Sequence, residues 1–202
     1  MKTIFALFLG LILLPLSVQA TEFEEGVNYD IVNQTTTKKP EVLEFFSYYC
    51  PHCFKFKPFI ETLRKSLDKD IPINTNHVNF LGQGMGEQLT RALAAAQMLN
   101  VEDKVSNLIF EQIQNERRPI NGEEDILTIF EKAGISNKEA KGALESFSVI
   151  GIASQMKRNT ETFNIRAVPT IIVNGKYQVN TASVNNTQEL IDLITYLTKK
   201  IN

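Results

Sequence analysis

Two periods of apolar and polar residues alternate along this chain, and the switches between them mark its elements. Tyr29-Asp30-Ile31-Val32 reads as a short first strand, and Gln34 to Pro40 is a polar connection. Val42 to Ser47 carries almost no polar alternation, as suits a central strand covered on both faces. Helical spacing follows at once: Phe56, Ile60, Leu63 and Leu67 form a stripe, while Lys55, Glu61, Lys65 and Asp68 fall elsewhere. Pro58 lies inside this helix, where it removes the bond to the Phe54 carbonyl and should kink it. Ile73 to Phe80 reads as a third strand.

Gly82-Gln83-Gly84-Met85-Gly86 then breaks the chain. No Lys-Ser/Thr pair follows, so a hinge fits better than a phosphate loop. Beyond it the spacing predicts helices over Leu89–Leu99, stopped near Asn100, over Val101–Gln114, and over Gly122–Ala133 with Ile135 as the cap contact after Gly134. Ser136 with Glu139 matches a capping box, and Ala143, Leu144, Phe147, Ile150 and Met156 carry one apolar stripe toward Asn159. Thr170–Val173 and Lys176–Val179 flank Asn174-Gly175, a strong hairpin signal. A last helix starts near Thr187 and buries Leu190, Leu193, Ile194 and Leu197. A parallel crossover needs one helix, so the much longer stretch between the third strand and the hairpin predicts a separate helical lobe.

Composition adds a compartment. Met1-Lys2, an apolar run from Ile4 to Leu16 and the small residues of Val18-Gln19-Ala20 read as a signal peptide cleaved after Ala20, which leaves 182 of the 202 residues. The run is short for a bilayer span, no later stretch approaches that length, and no cysteine follows the cleavage point to take a lipid anchor. Net charge is −2 for the whole sequence, with no basic field to recruit nucleic acid.

The chemistry lies in Cys50-Pro51-His52-Cys53, set at the junction of the central strand and the first helix. Pro51 is tolerated there because an N–H in the first helical turn has no intrahelical acceptor. The helix N-terminus offers free N–H groups and about half a positive charge, which favour a thiolate on Cys50. The apolar stripe turns Cys53 toward the core and leaves Cys50 near the surface. Two cysteines in one turn close a ring too small to add much stability, so a structural crosslink explains them poorly. Zinc usually takes four ligands, and this chain has only two Cys and two His, with His77 distant in sequence. Attachment of c-type haem needs His after the second Cys, where Phe54 stands. A redox pair is the reading that fits.

Val42-Leu43-Glu44-Phe45-Phe46-Ser47, Cys50-Pro51-His52-Cys53, His77-Val78-Asn79-Phe80, Val101-Glu102-Asp103-Lys104-Val105 and Val168-Pro169 with Val173-Asn174-Gly175-Lys176-Tyr177-Gln178 occur in the order found in the DsbA family of exported thiol–disulfide oxidoreductases, which this chain resembles over nearly its whole length. The resemblance implies an α/β (α+β) architecture: a thioredoxin fold split over residues 21–81 and 148–202, with an inserted all-helical domain over 82–147. It implies that Cys50 is the attacking sulfur and Cys53 the resolving one. His52 would stabilise the Cys50 thiolate, and Val168-Pro169 would be a cis-proline loop that binds substrate beside the disulfide. Glu44 would lie beneath the disulfide and handle the proton of Cys53.

The implied activity is periplasmic donation of the Cys50–Cys53 disulfide to unfolded exported proteins with free cysteines. Reoxidation would come from a DsbB-like, quinone-linked membrane partner. A monomer without cofactor or metal is expected. Two other readings stay open. One is a disulfide reductase or isomerase. The other is an exported copper-binding module holding Cu(I) on the two thiolates, although no Met or His cluster accompanies them.

This chain also departs from the family. It has no Trp, and the family tryptophans of the helical domain fall at Leu93 and Leu144, so the groove near the site should differ in shape. A family lysine falls at Thr75 and a family acid at Lys57. Lys57 is therefore expected to supply the positive partner of Glu44 that Thr75 does not.

Overall fold

A computed structural model describes residues 23–82 and 84–201. The signal segment expected over residues 1–20 lies outside the described residues. The chain runs β1 (Tyr29–Ile31), β2 (Val42–Phe46), α1 (Pro51–Ser66), β3 (Ile73–His77), α2 (Gly86–Met98), α3 (Glu102–Phe110), a π-helical turn (Glu111–Asn115), α4 (Glu123–Lys132), α5 (Asn137–Leu144), α6 (Phe147–Thr162), β4 (Thr170–Val173), β5 (Tyr177–Val179) and α7 (Thr187–Thr198).

The strands form one mixed sheet in the order β1-β5-β4-β2-β3. β2 runs parallel to β3, from Val42 opposite Ile73 to Phe46 opposite His77, and antiparallel to β4. This central place explains why β2 lacks alternation: both its faces are covered. Val42, Glu44 and Phe46 face α1, whereas Phe45 packs on the other side with Val78, Ile172 and Phe163. α1 and α7 cover one face through Ile60, Leu63, Leu193, Ile194 and Leu197. Asn174 and Gly175, at φ 53° and 62°, make the tight turn between β4 and β5 that their sequence predicts.

α2 to α5 form the helical insert, built around Leu89, Leu93, Val105, Ile109, Ile129 and Phe130. α2 buries Ala92, Ala94, Ala95 and Ala96, small side chains that let α3, α5 and α6 approach it closely. Leu93 and Leu144 are both buried in this core. α6 also packs on β3, so it bridges insert and sheet.

Four expectations change. β3 ends at His77 rather than Phe80, because Val78 N–H makes a last bond to Phe46 O at 2.9 Å and the chain then turns away, leaving Phe80 exposed. α2 begins at Gly86, not Leu89. A side chain at Gly86 would place Cβ 2.2 Å from Asn79 O, so only glycine can start the helix against that strand end. The helix expected over Val101–Gln114 is α-helical only to Phe110 and then widens, with Glu116 N–H bonded to Glu111 O at 3.0 Å. The stripe drawn from Ala143 to Met156 is broken by Ser146, whose Oγ accepts from Val149 N–H at 3.2 Å and starts a new helix. That resets the register and leaves Phe147 94% and Ile150 42% exposed.

Candidate active site

The site grows out of β2. Past Phe46 the backbone makes a tight turn in which Cys50 N–H bonds Ser47 O at 3.0 Å and Tyr49 N–H bonds Ser47 Oγ at 3.2 Å. Cys50 then caps α1, its sulfur accepting from Cys53 N–H at 3.1 Å. Pro51 follows at the first helical position, and no acidic side chain stands in the first turn to offset the positive helix end. From the other side comes the Val168-Pro169 segment, which has a cis peptide bond. The Cys50 thiol donates to Val168 O at 3.4 Å. The Cys50–Cys53 turn and the Val168-Pro169 segment, distant in sequence, thus meet at the Cys50 sulfur.

The expected contrast between a surface Cys50 and a core Cys53 is reduced. Both thiols are buried, at 5% and 2% exposure. The cap geometry turns the Cys50 sulfur back over the first turn and beneath the Val168 carbonyl, and the exposed residues of that turn are Pro51 and His52. The two sulfurs still differ chemically. Cys50 Sγ meets a backbone N–H and the helix end, which favour negative charge as it develops. Burial first, and its contact with Cys50 second, push the Cys53 thiol up, so Cys53 holds its proton.

Glu44 is buried on the α1 face of β2 beside Thr75. Burial raises its carboxyl from 4.5 to about 7; Arg64 opposes this most, Glu102 adds to it, and Lys57 opposes it least. The expectation for Lys57 is therefore revised. Its ammonium pairs with Glu61 at 2.6 Å, one turn along the helix, and Arg64 is the main cation toward Glu44. Thr75 hydrogen-bonds the Glu102 carboxylate and accepts from Gln97 Nε2 at 3.0 Å. A cavity of about 60 Å³ lies against Glu44, Cys53, Arg64, Thr75 and Glu102, enough for a few water molecules between the buried thiol and the carboxyl.

Behind the turn stands a second layer that reading the sequence missed. Tyr48 N–H bonds Nε2 of the buried His77 at 3.3 Å, and the two rings stack with centroids 5.1 Å apart. Nε2 is the acceptor, so the ring proton sits on Nδ1, 2.8 Å from Thr90 Oγ1 on α2. Burial lowers the His77 pKa to about 3, so the ring is neutral. Gln114 Nε2 donates to Tyr48 O at 2.7 Å, and Tyr49 OH meets both N and O of Ile120 at 3.2 and 3.3 Å. His77 and Glu102 lie within the motifs quoted above. Nothing in the sequence pattern singles out Gln114, because its position depends on the widened turn. Among the described residues no group of three or more His, Cys, Asp or Glu is placed to hold a metal ion. No helix among them is long and apolar enough to cross a membrane.

A DSBA-like thioredoxin domain matches residues 41–192. The thiol:disulfide interchange protein DsbA of Escherichia coli K12 is 35% identical over 209 residues, 99% of this chain and 100% of the relative. That of Yersinia pestis is 36% identical over 206 residues, covering 98% of each. Among solved structures, a Proteus mirabilis DsbA variant with the non-covalently bound peptide PWATCDS superposes with a TM-score of 0.83 at 31% identity, over 89% of this chain and 100% of the other. Klebsiella pneumoniae DsbA gives 0.83 at 29%, over 90% and 100%.

Proposed function

Because the chain belongs to the DsbA family of thiol:disulfide oxidoreductases, we propose that it works as a dithiol oxidase of the periplasm, reached through a leader cleaved after Ala20. A substrate thiolate attacks Cys50 Sγ of the Cys50–Cys53 disulfide. The new S–S bond joins substrate to Cys50, and Cys53 leaves as a thiolate. Glu44, protonated near neutral pH, supplies the proton through the small cavity. A second substrate thiolate then attacks the mixed disulfide, forming the substrate disulfide and expelling Cys50. Two electrons pass from the substrate dithiol to the enzyme. A DsbB-like, quinone-linked membrane partner takes them on.

The observation that carries this reading is the Cys50 cap. The leaving sulfur is received by Cys53 N–H and an unopposed helix end, which makes Cys50 a good leaving group and its disulfide oxidising. The peptide bound to the Proteus mirabilis relative supports unfolded, cysteine-bearing exported chains as substrates. They would lie along Val168-Pro169, with residues 82–147 as an inserted helical domain over a monomeric enzyme.

The test is equilibration with glutathione buffers, with the reduced fraction read after acid quench and alkylation. A strongly oxidising constant is expected. A constant in the range of reducing thioredoxins would overturn the oxidase direction, and failure of membranes holding the quinone-linked partner to reoxidise the protein would overturn that partnership.

A further inference from the structure

The turn that presents Cys50 is held from the helical insert, and one residue of the insert is placed to control it. Both backbone polar groups of Tyr48 are taken by side chains: the N–H by His77 and the carbonyl by Gln114, at 3.3 and 2.7 Å. Gln114 reaches that carbonyl because α3 does not continue as an α-helix. The Glu116-to-Glu111 bond spans five residues, adds a residue to the turn and alters the direction of every side chain after Phe110. Gln112 in the same widened turn faces inward instead, its oxygen 3.2 Å from Arg118 and its carbonyl bonded to Arg118 N–H, and so closes the loop back on itself.

We propose that Gln114 is a positioning residue for thiol–disulfide exchange: by holding the Tyr48 carbonyl it keeps the Ser47–Cys50 turn where Cys50 Sγ meets Cys53 N–H. This rests on the reading of Cys50 as the exchanging sulfur. The effect differs between redox states. In the disulfide form a covalent bond to Cys53 holds the Cys50 sulfur whatever the turn does. In the dithiol form only the Cys53 N–H, the Val168 carbonyl and the turn itself hold it. Loosening the turn therefore costs the dithiol form more, and the disulfide becomes a weaker oxidant.

Gln114→Met keeps the length of the side chain and removes the donor. Equilibrated with glutathione buffers at pH 7, it should move its constant about two- to fivefold toward the disulfide, fivefold being the limit in which only the dithiol form feels the loss of one neutral hydrogen bond. Gln112→Met is the comparison: it removes the side-chain contact with Arg118 in the same segment and should leave the constant within twofold of the parent. Gln114→Asn, an amide one methylene too short to reach Tyr48, serves in place of the methionine variant should that variant not fold. The proposal is overturned if the Gln114 variant matches the parent constant within twofold, or if Gln112→Met moves it as far. Failure of the unsubstituted protein to exchange with glutathione would instead count against the oxidoreductase chemistry of Cys50 itself.

Discussion

Glu44→Gln should stabilise the reduced protein by about 3 kcal/mol at pH 8 and by almost nothing at pH 4. The carboxyl titrates at 4.5 in the unfolded chain and at about 7 in the fold, where burial outweighs the help of Arg64 and Lys57. Between those values the unfolded chain has released the proton and the folded chain still holds it. Stability of the parent therefore falls as pH rises through this window and levels off above it. Each unit is worth about 1.4 kcal/mol, which sets the size of the effect. Glutamine fills the same space and titrates nowhere, so the variant lacks this fall. Other titrating groups, the buried His77 included, cancel in the difference between the two proteins. Urea unfolding of both proteins, kept reduced, at half-unit steps from pH 4 to 8.5 gives the curve directly. A stability difference that stays flat across that range, or that favours the parent at high pH, would refute a buried, proton-holding Glu44.

Arg64→Met should push the Glu44 carboxyl further up and displace the same stability curve to higher pH, whereas Lys57→Met should move it less because that ammonium is already engaged by Glu61; a larger displacement by Lys57→Met would restore Lys57 as the principal partner. Cys53→Ala should accumulate mixed disulfides with exported proteins on non-reducing gels and Cys50→Ala few, since Cys50 Sγ lies beneath the Val168 segment at the first turn and Cys53 behind it; equal trapping would reverse the order of attack. Phe45→Ala, at a fully buried position against Phe163 and Ile172, should lower stability by about 3–5 kcal/mol in urea unfolding.

What the sequence reveals follows the range of the interaction behind each feature. The Asn174-Gly175 turn, the Ser136 cap and the Cys50 cap depend on neighbours a few residues away, and each is where its pattern puts it. β2 is legible as central because burial on both faces leaves a mark at every residue. The widened turn at Glu111–Asn115 is not, since its spacing still reads as helical and the departure is decided by what Gln114 and Tyr49 dock against. Ser146 could have signalled a cap, but Phe147 and Ile150 lie at a spacing that reads equally well as a continued stripe. At Glu44 the sequence identifies the acid and Lys57, but not Arg64, seven residues further along the same helix. Which cation faces it depends on Glu61, which holds Lys57.

The pairing of β2 with β4 also governs when the site can exist. Val42 lies opposite Val173, so closing the sheet means joining the ends of a very long loop, a slow step of high contact order. A chain entering its compartment N-terminus first presents both cysteines early. The Val168 carbonyl and the strand that carries it arrive only after the whole helical insert. Until then one edge of β2 stands unpaired and open to other strands. The enclosed site is thus completed late, once the chain is nearly whole, and a half-emerged molecule carries two thiols without the Val168 segment that covers them.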